Sequence, residues 1–324
     1  MTPHIAFVFP GQGSQVVGMG QMLYEAYAES RQVLDSVARV IQADEKPFLD
    51  ILFEGPEALL TQTRYTQPAI LGVSLAALAA FRSQYPEIKP EFVAGHSLGE
   101  YSALFAAGVL SLEEAISLVQ YRAQLMNQAE AGAMAAVLGL DQLLLEQVLA
   151  EISSADDCVV VANYNSPTQQ VISGTPSAVS LAAEKLKAAG AKRVIPLNVG
   201  GAFHSPLMSM ATEVFAQRLG SLPFQPAQIP VITNVDSQPT QVPELLKEKL
   251  SVQMNHAVCW SQTMATLVEQ QVDIVVEFGP GTVLSGLFKK TFPSVRSYQV
   301  SDPNSLSQTV AGLREHLNGL SVSV

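Results

Sequence analysis

Residues 91–107 read EFVAGHSLGEYSALFAA: a short apolar run, a glycine-flanked turn, then an alanine- and leucine-rich segment. The composition predicts a strand over 91–95 that feeds a helix from Leu98 to about Ala107. Between them, Gly95-His96-Ser97-Leu98-Gly99 fits the pattern G-x-S-x-G. A sharp strand-to-helix turn needs small residues on both sides of its apex. It projects the Ser97 hydroxyl outward and sets it at a helix N-terminus, where free backbone N–H groups can stabilise an oxyanion. The alternative is a tight turn made by small residues, and Gly72-Val73-Ser74-Leu75 lacks only the second glycine of the same pattern.

The same alternation extends outward. Residues 4–9 are a continuous apolar run ended by Pro10, which predicts a buried strand. Residues 111–129 have helical periodicity, with Ser111 as N-cap and Glu113 and Glu114 in the first turn. From 130 to 198 the rhythm changes. Ala133–Leu140 reads as a strand, Asp141–Ile152 as a helix, and Cys158–Asn163 and Gln169–Ser173 as strands joined by a turn. Thr175–Ala189 is a helix with Pro176 at its first position and Gly190 beyond its end, and Arg193–Val199 closes the unit. That order, βαββαβ, matches a ferredoxin-like unit. Strands at Ile229–Val235 and Ile274–Phe278, with helices near 260–270 and from 282, resume the first pattern. The expected fold is α/β, a largely parallel helix-covered sheet spanning 1–129 and 199–324, with 130–198 inserted.

Acidic residues outnumber basic ones 29 to 18 in 324 residues, a formal net charge of −11. Such a balance argues against general nucleic-acid binding or adhesion to anionic membranes, which need a basic face. A 48% hydrophobic content supplies a sizeable core and argues against disorder. Cys158 and Cys259 are too few for a disulfide framework and fit a reducing cytosol. The run Ile5–Phe9 lacks the basic lead-in of a signal peptide, and longer uncharged windows such as Tyr65–Phe81 are interrupted by polar residues, proline or glycine. A soluble cytosolic protein is expected.

A serine nucleophile needs a base. Of the five histidines, His96 adjoins Ser97 on a turn where neighbouring side chains diverge, His4 begins a strand, and His316 lies in a terminal helix. His204 precedes Ser205-Pro206, a good N-cap and first helical residue. A histidine at a helix N-terminus has its protonated form disfavoured and so stays able to accept a proton; the alternative is a capping or surface histidine. On the helix 111–129, Arg122 falls inside the apolar arc of Leu112, Ile116, Val119 and Met126. A guanidinium there needs an anion. Either an acid elsewhere pairs with it, or it holds a substrate carboxylate in its planar fork. Gly11-Gln12-Gly13-Ser14 follows the first strand, but Val16 replaces the third glycine of a dinucleotide loop and no phosphate-loop lysine follows. No cluster has metal-ligand spacing, so neither metal nor cofactor is expected.

Five motifs now stand in order: Phe9-Pro10-Gly11-Gln12-Gly13-Ser14-Gln15, Gly95-His96-Ser97-Leu98-Gly99-Glu100-Tyr101-Ser102-Ala103, Gln120-Tyr121-Arg122, Gly201-Ala202-Phe203-His204-Ser205 and Glu277-Phe278-Gly279-Pro280-Gly281. Together they closely resemble the malonyl-CoA:acyl carrier protein transacylases of bacterial-type fatty acid synthesis, over residues 4 to about 290. The resemblance implies an α/β-hydrolase-like core with an inserted ferredoxin-like subdomain, and a ping-pong reaction through a malonyl-serine. It implies that Ser97 is the nucleophile and His204 its base, and that the backbone N–H groups of Gln12 and Leu98 form the oxyanion hole. Arg122 would bind the malonyl carboxylate, Gln253 would orient His204 through its backbone carbonyl, and Phe203 resembles malonyl-selecting members. Malonyl-CoA and acyl carrier protein are the implied partners, and a monomer is the family expectation. Within the family, a free-standing polyketide acyltransferase or an editing acyl hydrolase is the alternative; outside it, a silent carrier-docking module.

An acidic chain should repel both an acidic carrier and CoA at long range. Basic residues must therefore be concentrated locally. Lys185, Lys187, Lys192 and Arg193 on the inserted unit and Lys289 and Lys290 on the late helix are the candidates. Of these, Lys192, Lys289 and Lys290 are expected to rim the Ser97 cleft; the alternative is ordinary solvated surface.

Overall fold

Side-chain alternation along the first strand, β1 (Ile5–Phe9), decides the layering. Ile5, Phe7 and Phe9 pack into one hydrophobic cluster, and Ala6 and Val8 into another on the opposite face. A strand buried on both faces sits in the middle of a helix-covered sheet. The computed structural model describes residues 4–319 apart from 42, 44 and 130. The outer ends expected for the core, and the position at which the insertion would begin, lie outside the described residues. The remaining strands are β2 (Phe92–Gly95), β3 (Ala133–Leu138), β4 (Val159–Ser166), β5 (Gln169–Gly174), β6 (Arg193–Pro196), β7 (Val231–Ile232), β8 (Pro239–Thr240), β9 (Ile274–Phe278) and β10 (Arg296–Val300).

Six of these form the main sheet in the order β10-β9-β1-β2-β7-β8, parallel except for the β7–β8 pair. On the Phe7 face lies the helix Thr63–Gln84, and Phe81 meets Phe7 and Phe278 edge-to-face at centroid distances of 5.6 and 5.1 Å. On the other face, Trp260 and Phe288 come from the helices Trp260–Glu269 and Val283–Thr291. The structure is thus mixed α/β with a largely parallel sheet.

β3, β4, β5 and β6 form a second, fully antiparallel sheet in the order β4-β5-β3-β6. Ala135, Val137 and Ile172 turn toward the helices Gln142–Ala150 and Pro176–Ala188, building a third core with Leu145, Leu149 and Leu186. Met134 and Val171 turn the other way and join the main core. β4 is also tied to the loop after residue 253: Tyr164 N–H donates to Val258 O at 2.9 Å and Val258 N–H to Ala162 O at 2.8 Å. A cleft therefore opens between the small sheet and the carboxyl ends of β1 and β2, where ligands of parallel sheets commonly bind.

Several expected bounds move for local reasons. β3 stops at Leu138 because Gly139 adopts φ +75°. β6 stops at Pro196, short of Val199. The expected strand Ile229–Val235 shrinks to Val231–Ile232, since Thr233 Oγ1 donates to Asp236 Oδ1 at 2.6 Å and closes a turn. The helix over 111–129 runs Leu112–Gln128 with a reciprocal capping box between Ser111 and Glu114. Among the described residues, no helix is long and apolar enough to cross a membrane.

Candidate active site

Three glycines create the turn at the end of β2. A Cβ on Gly95 would lie 1.9 Å from the Gly99 carbonyl carbon, and one on Gly99 would lie 2.1 Å from Phe9 O. One on Gly11 would lie 2.5 Å from His96 O. No side chain fits at those distances, so the first loop and the serine turn touch backbone to backbone. Ser97, at the apex, has φ +52°. Asn234, just beyond β7, clamps the turn from behind: Ser97 N–H donates to Asn234 Oδ1, and Asn234 Nδ2 to Gly95 O, each at 2.6 Å.

Ser97 Oγ lies 2.7 Å from His204 Nε2. The other ring nitrogen, Nδ1, is 3.0 Å from both Gln253 O and His256 O. Carbonyls only accept, so Nδ1 carries the proton and Nε2 is left to accept from the serine. His204 adopts φ +57°, and its own N–H donates to Met254 O at 2.9 Å. Burial, reinforced by the Arg122 cation, pushes its pKa down to about 3. A neutral imidazole thus faces the hydroxyl.

Arg122 is 1% exposed, on the inward face of the helix Leu112–Gln128. Its Nη1 donates to Gln67 Oε1 at 2.7 Å, and its Nη2 to Ser97 Oγ at 3.0 Å and Gln253 Oε1 at 3.2 Å. Among the described residues its buried Nε meets no acceptor, and none of the acceptors named is charged. A guanidinium held by two amides and a hydroxyl is a cation poised for an added anion. Glu100 reaches it only indirectly, through Gln253 Nε2 at 2.7 Å.

These groups line a cavity of about 200 Å³ that includes Gln12, Ser97, Arg122, Phe203 and His204. Leu98 is buried, and among the described residues neither the Leu98 nor the Gln12 backbone N–H meets a protein acceptor. A wider hollow of about 510 Å³ adjoins it across Met126, Val199 and Phe203 but holds no nucleophile–base pair. His96 turns away from the cavity's reacting end, with Nε2 2.8 Å from Asn165 Oδ1. Among the described residues no group of His, Cys, Asp and Glu is arranged to hold a metal.

The basic residues are dispersed. Lys192 precedes β6 at the end away from Leu197, which lines the cavity; the four-residue strand between them makes five steps, roughly 16 Å. Its stem lies over Gly139. Val283 and Leu287 line the cavity from their helix, and Lys290 follows them on the same face, whereas Lys289 is turned about 140° from their direction. Gln67, Asn234 and Glu100 are site neighbours that sequence reasoning passed over; a buried polar residue within an apolar run was the signal for Gln67 and Asn234.

The chain matches the family model described as an acyl transferase domain over residues 6–318. The malonyl CoA-acyl carrier protein transacylase of Bacillus subtilis (strain 168) is 42% identical over 314 residues, 96% of this chain and 98% of its own length. The crystal structure of the malonyl-CoA:ACP transacylase from Synechocystis sp. PCC 6803 superposes with a TM-score of 0.86 at 40% identity, covering 94% of this chain and 99% of that one. A malonyl-transacylase solved in complex with its type II PKS acyl-carrier protein, PlMCAT with holo AntF, gives 0.89 at 37% identity, with coverage of 95% and 99%. Near-complete coverage in both directions joins the motif order, the sheet topology and the serine–histidine–arginine cluster into one assignment: the chain belongs to the malonyl CoA-acyl carrier protein transacylase family of acyl transferases.

Proposed function

We propose that this protein transfers the malonyl group of malonyl-CoA to the phosphopantetheine thiol of an acyl carrier protein, through a malonyl ester on Ser97. The observation that carries the reading is one hydroxyl shared by two partners: Ser97 Oγ lies 2.7 Å from the neutral base His204 and 3.0 Å from a guanidinium that pairs with no acid among the described residues. An acetyl thioester would need only the first. The second provides for the extra carboxylate of malonyl, which Arg122 binds through its fork as Ser97 Oγ turns to the carbonyl.

In the first half-reaction Ser97 Oγ attacks the thioester carbon while its proton passes to His204 Nε2. The Gln12 and Leu98 N–H groups receive the developing oxyanion. Collapse breaks the C–S bond, and His204 returns the proton to the departing CoA thiolate. In the second half-reaction the carrier thiol gives its proton to His204 and attacks the Ser97 ester, and the proton then restores the serine hydroxyl. The Gln253 and His256 carbonyls stabilise the imidazolium, taking the place an acid holds in other triads. Phe203 closes the cavity wall beside the malonyl methylene. The scheme uses no cofactor.

The strand order β4-β5-β3-β6 with two helices on one face supports reading 130–198 as a ferredoxin-like insertion in an α/β-hydrolase-like core. On the docking side, Lys290 is the basic residue best placed to meet an acidic carrier; Lys192 and Lys289 are better read as solvated surface. Incubating the enzyme with malonyl-CoA, with and without holo carrier protein, tests the function. Malonyl-carrier should form only with the carrier present, and Ser97→Ala should leave no malonyl-enzyme in intact mass spectra. Free malonate released as fast as malonyl-carrier would instead identify a hydrolase.

A further inference from the structure

Glu100 is a buried acid that the transfer scheme does not use. It sits on the first turn of the helix Gly99–Ala106, three residues past the nucleophile, and is 1% exposed. A single oxygen, Oε2, accepts from Gln253 Nε2 at 2.7 Å and from the Asn234 backbone N–H at 3.3 Å. Each donor residue holds part of the site. Asn234 grips the turn at Gly95 O and Ser97 N. Gln253 Nε2 also donates to Ser97 O at 2.9 Å, and its Oε1 accepts from Arg122.

Resting on the transfer reading above, we propose that Glu100 is a positioning residue for Ser97 and Arg122, acting through the amides of Gln253 and Asn234. A primary amide is nearly symmetric in shape, so only its neighbours decide which end is nitrogen. Gln253 Nε2 faces two acceptors, Ser97 O and Glu100 Oε2, which obliges Oε1 to face the guanidinium. Without Glu100, one of the three contacts that fix that orientation is gone, Ser97 O and the Arg122 donor being the others, and the Asn234 N–H loses its acceptor in the same stroke. Position and not charge is the operative property: a protonated carboxyl or a carboxamide still presents an acceptor oxygen at the Oε2 site. Burial raises the Glu100 pKa to about 7, with Arg122 opposing and Asp236 assisting, so both protonation states occur at neutral pH.

Two readouts test this. Labelling of Ser97 by a fluorophosphonate needs only an aligned serine and base, and malonyl- against acetyl-enzyme formation reads Arg122. A small misplacement of reacting groups costs up to about 10²-fold, so Glu100→Ala should slow labelling by that order and reduce the malonyl preference. Glu100→Gln should recover labelling to within about threefold, and the wild-type rate should stay level between about pH 6 and 8. If Glu100→Ala does not fold, Asn234→Ser substitutes: it should slow labelling about tenfold and leave the malonyl preference, because the Asn234 side chain bonds only to the turn, at Gly95 O and Ser97 N, and the backbone N–H that meets Glu100 is kept. Wild-type labelling in Glu100→Ala or Asn234→Ser, or Glu100→Gln as slow as Glu100→Ala, would overturn the proposal. Wild-type enzyme that takes the fluorophosphonate but not malonyl-CoA would overturn the malonyl reading alone.

Discussion

Replacing Glu100 by glutamine should stabilise the protein at alkaline pH and change little in acid. The sign follows from burial. Glu100 is raised from 4.5 to about 7, first by desolvation, against the opposing pull of Gln253, Asn234 and Arg122. Below the unfolded value, both states carry the proton and the carboxyl costs nothing extra. Between the two values the unfolded chain ionises while the folded one holds its proton, so folding stability falls as pH rises. Above the folded value both are ionised and the penalty is constant, at about 3 kcal/mol for a shift of this size. Over the accessible window from about pH 5.5 to 8, the wild type should lose roughly 2 kcal/mol relative to Glu100→Gln. Urea unfolding of both proteins at several pH values measures that difference directly. A difference that stays constant within about 0.5 kcal/mol would refute the desolvation argument. A wild type that gains on the variant as pH rises would mean that Arg122 outweighs burial.

Two further outcomes concern the site. Arg122→Ala should reduce malonyl-enzyme formation by about 10- to 100-fold, the range for a lost charge-assisted pair, with a much smaller effect on acetyl-enzyme formation; equal losses in single-turnover assays would make the arginine structural. His204 is active when neutral, and its pKa is lowered to about 3, so acylation should hold level as pH falls toward 5. An ordinary histidine would lose about 30-fold there, and an acid limb centred near 6.5 in a stopped-flow profile would disprove the burial effect.

The serine turn was legible because its causes are local. Gly95 is demanded by the Gly99 backbone within the turn, a demand written into five consecutive residues, while Gly99 answers to Phe9 O on the neighbouring strand. Arg122 was legible as an anomaly, a charge on an apolar arc, but its partners Gln67 and Gln253 lie 55 and 131 residues away. Periodicity carries no information about such pairings. The helix Thr63–Gln84 was read only as an uncharged window, since a helix buried on nearly every side shows no polar face. The order of the small unit's elements was readable; its lysines were not, because a net charge says nothing about which end of a strand faces the cleft. Gln253 was placed by resemblance for its carbonyl, while its side chain, which links Arg122 to Glu100, is a matter of tertiary packing.

Ser97 and His204 share a backbone peculiarity: both occupy the left-handed region, at φ +52° and +57°. For ordinary L-residues that region costs about 1–3 kcal/mol, a cost glycine escapes. Relief of backbone strain alone would therefore favour glycine at both positions, the two places where glycine ends the chemistry. The protein's reactive pair and its thermal robustness are in direct opposition at these two residues. A search for hardier variants should therefore keep turnover in its screen, so that relief of strain is sought at Ser237 and Gln271, which share the conformation outside the reactive pair.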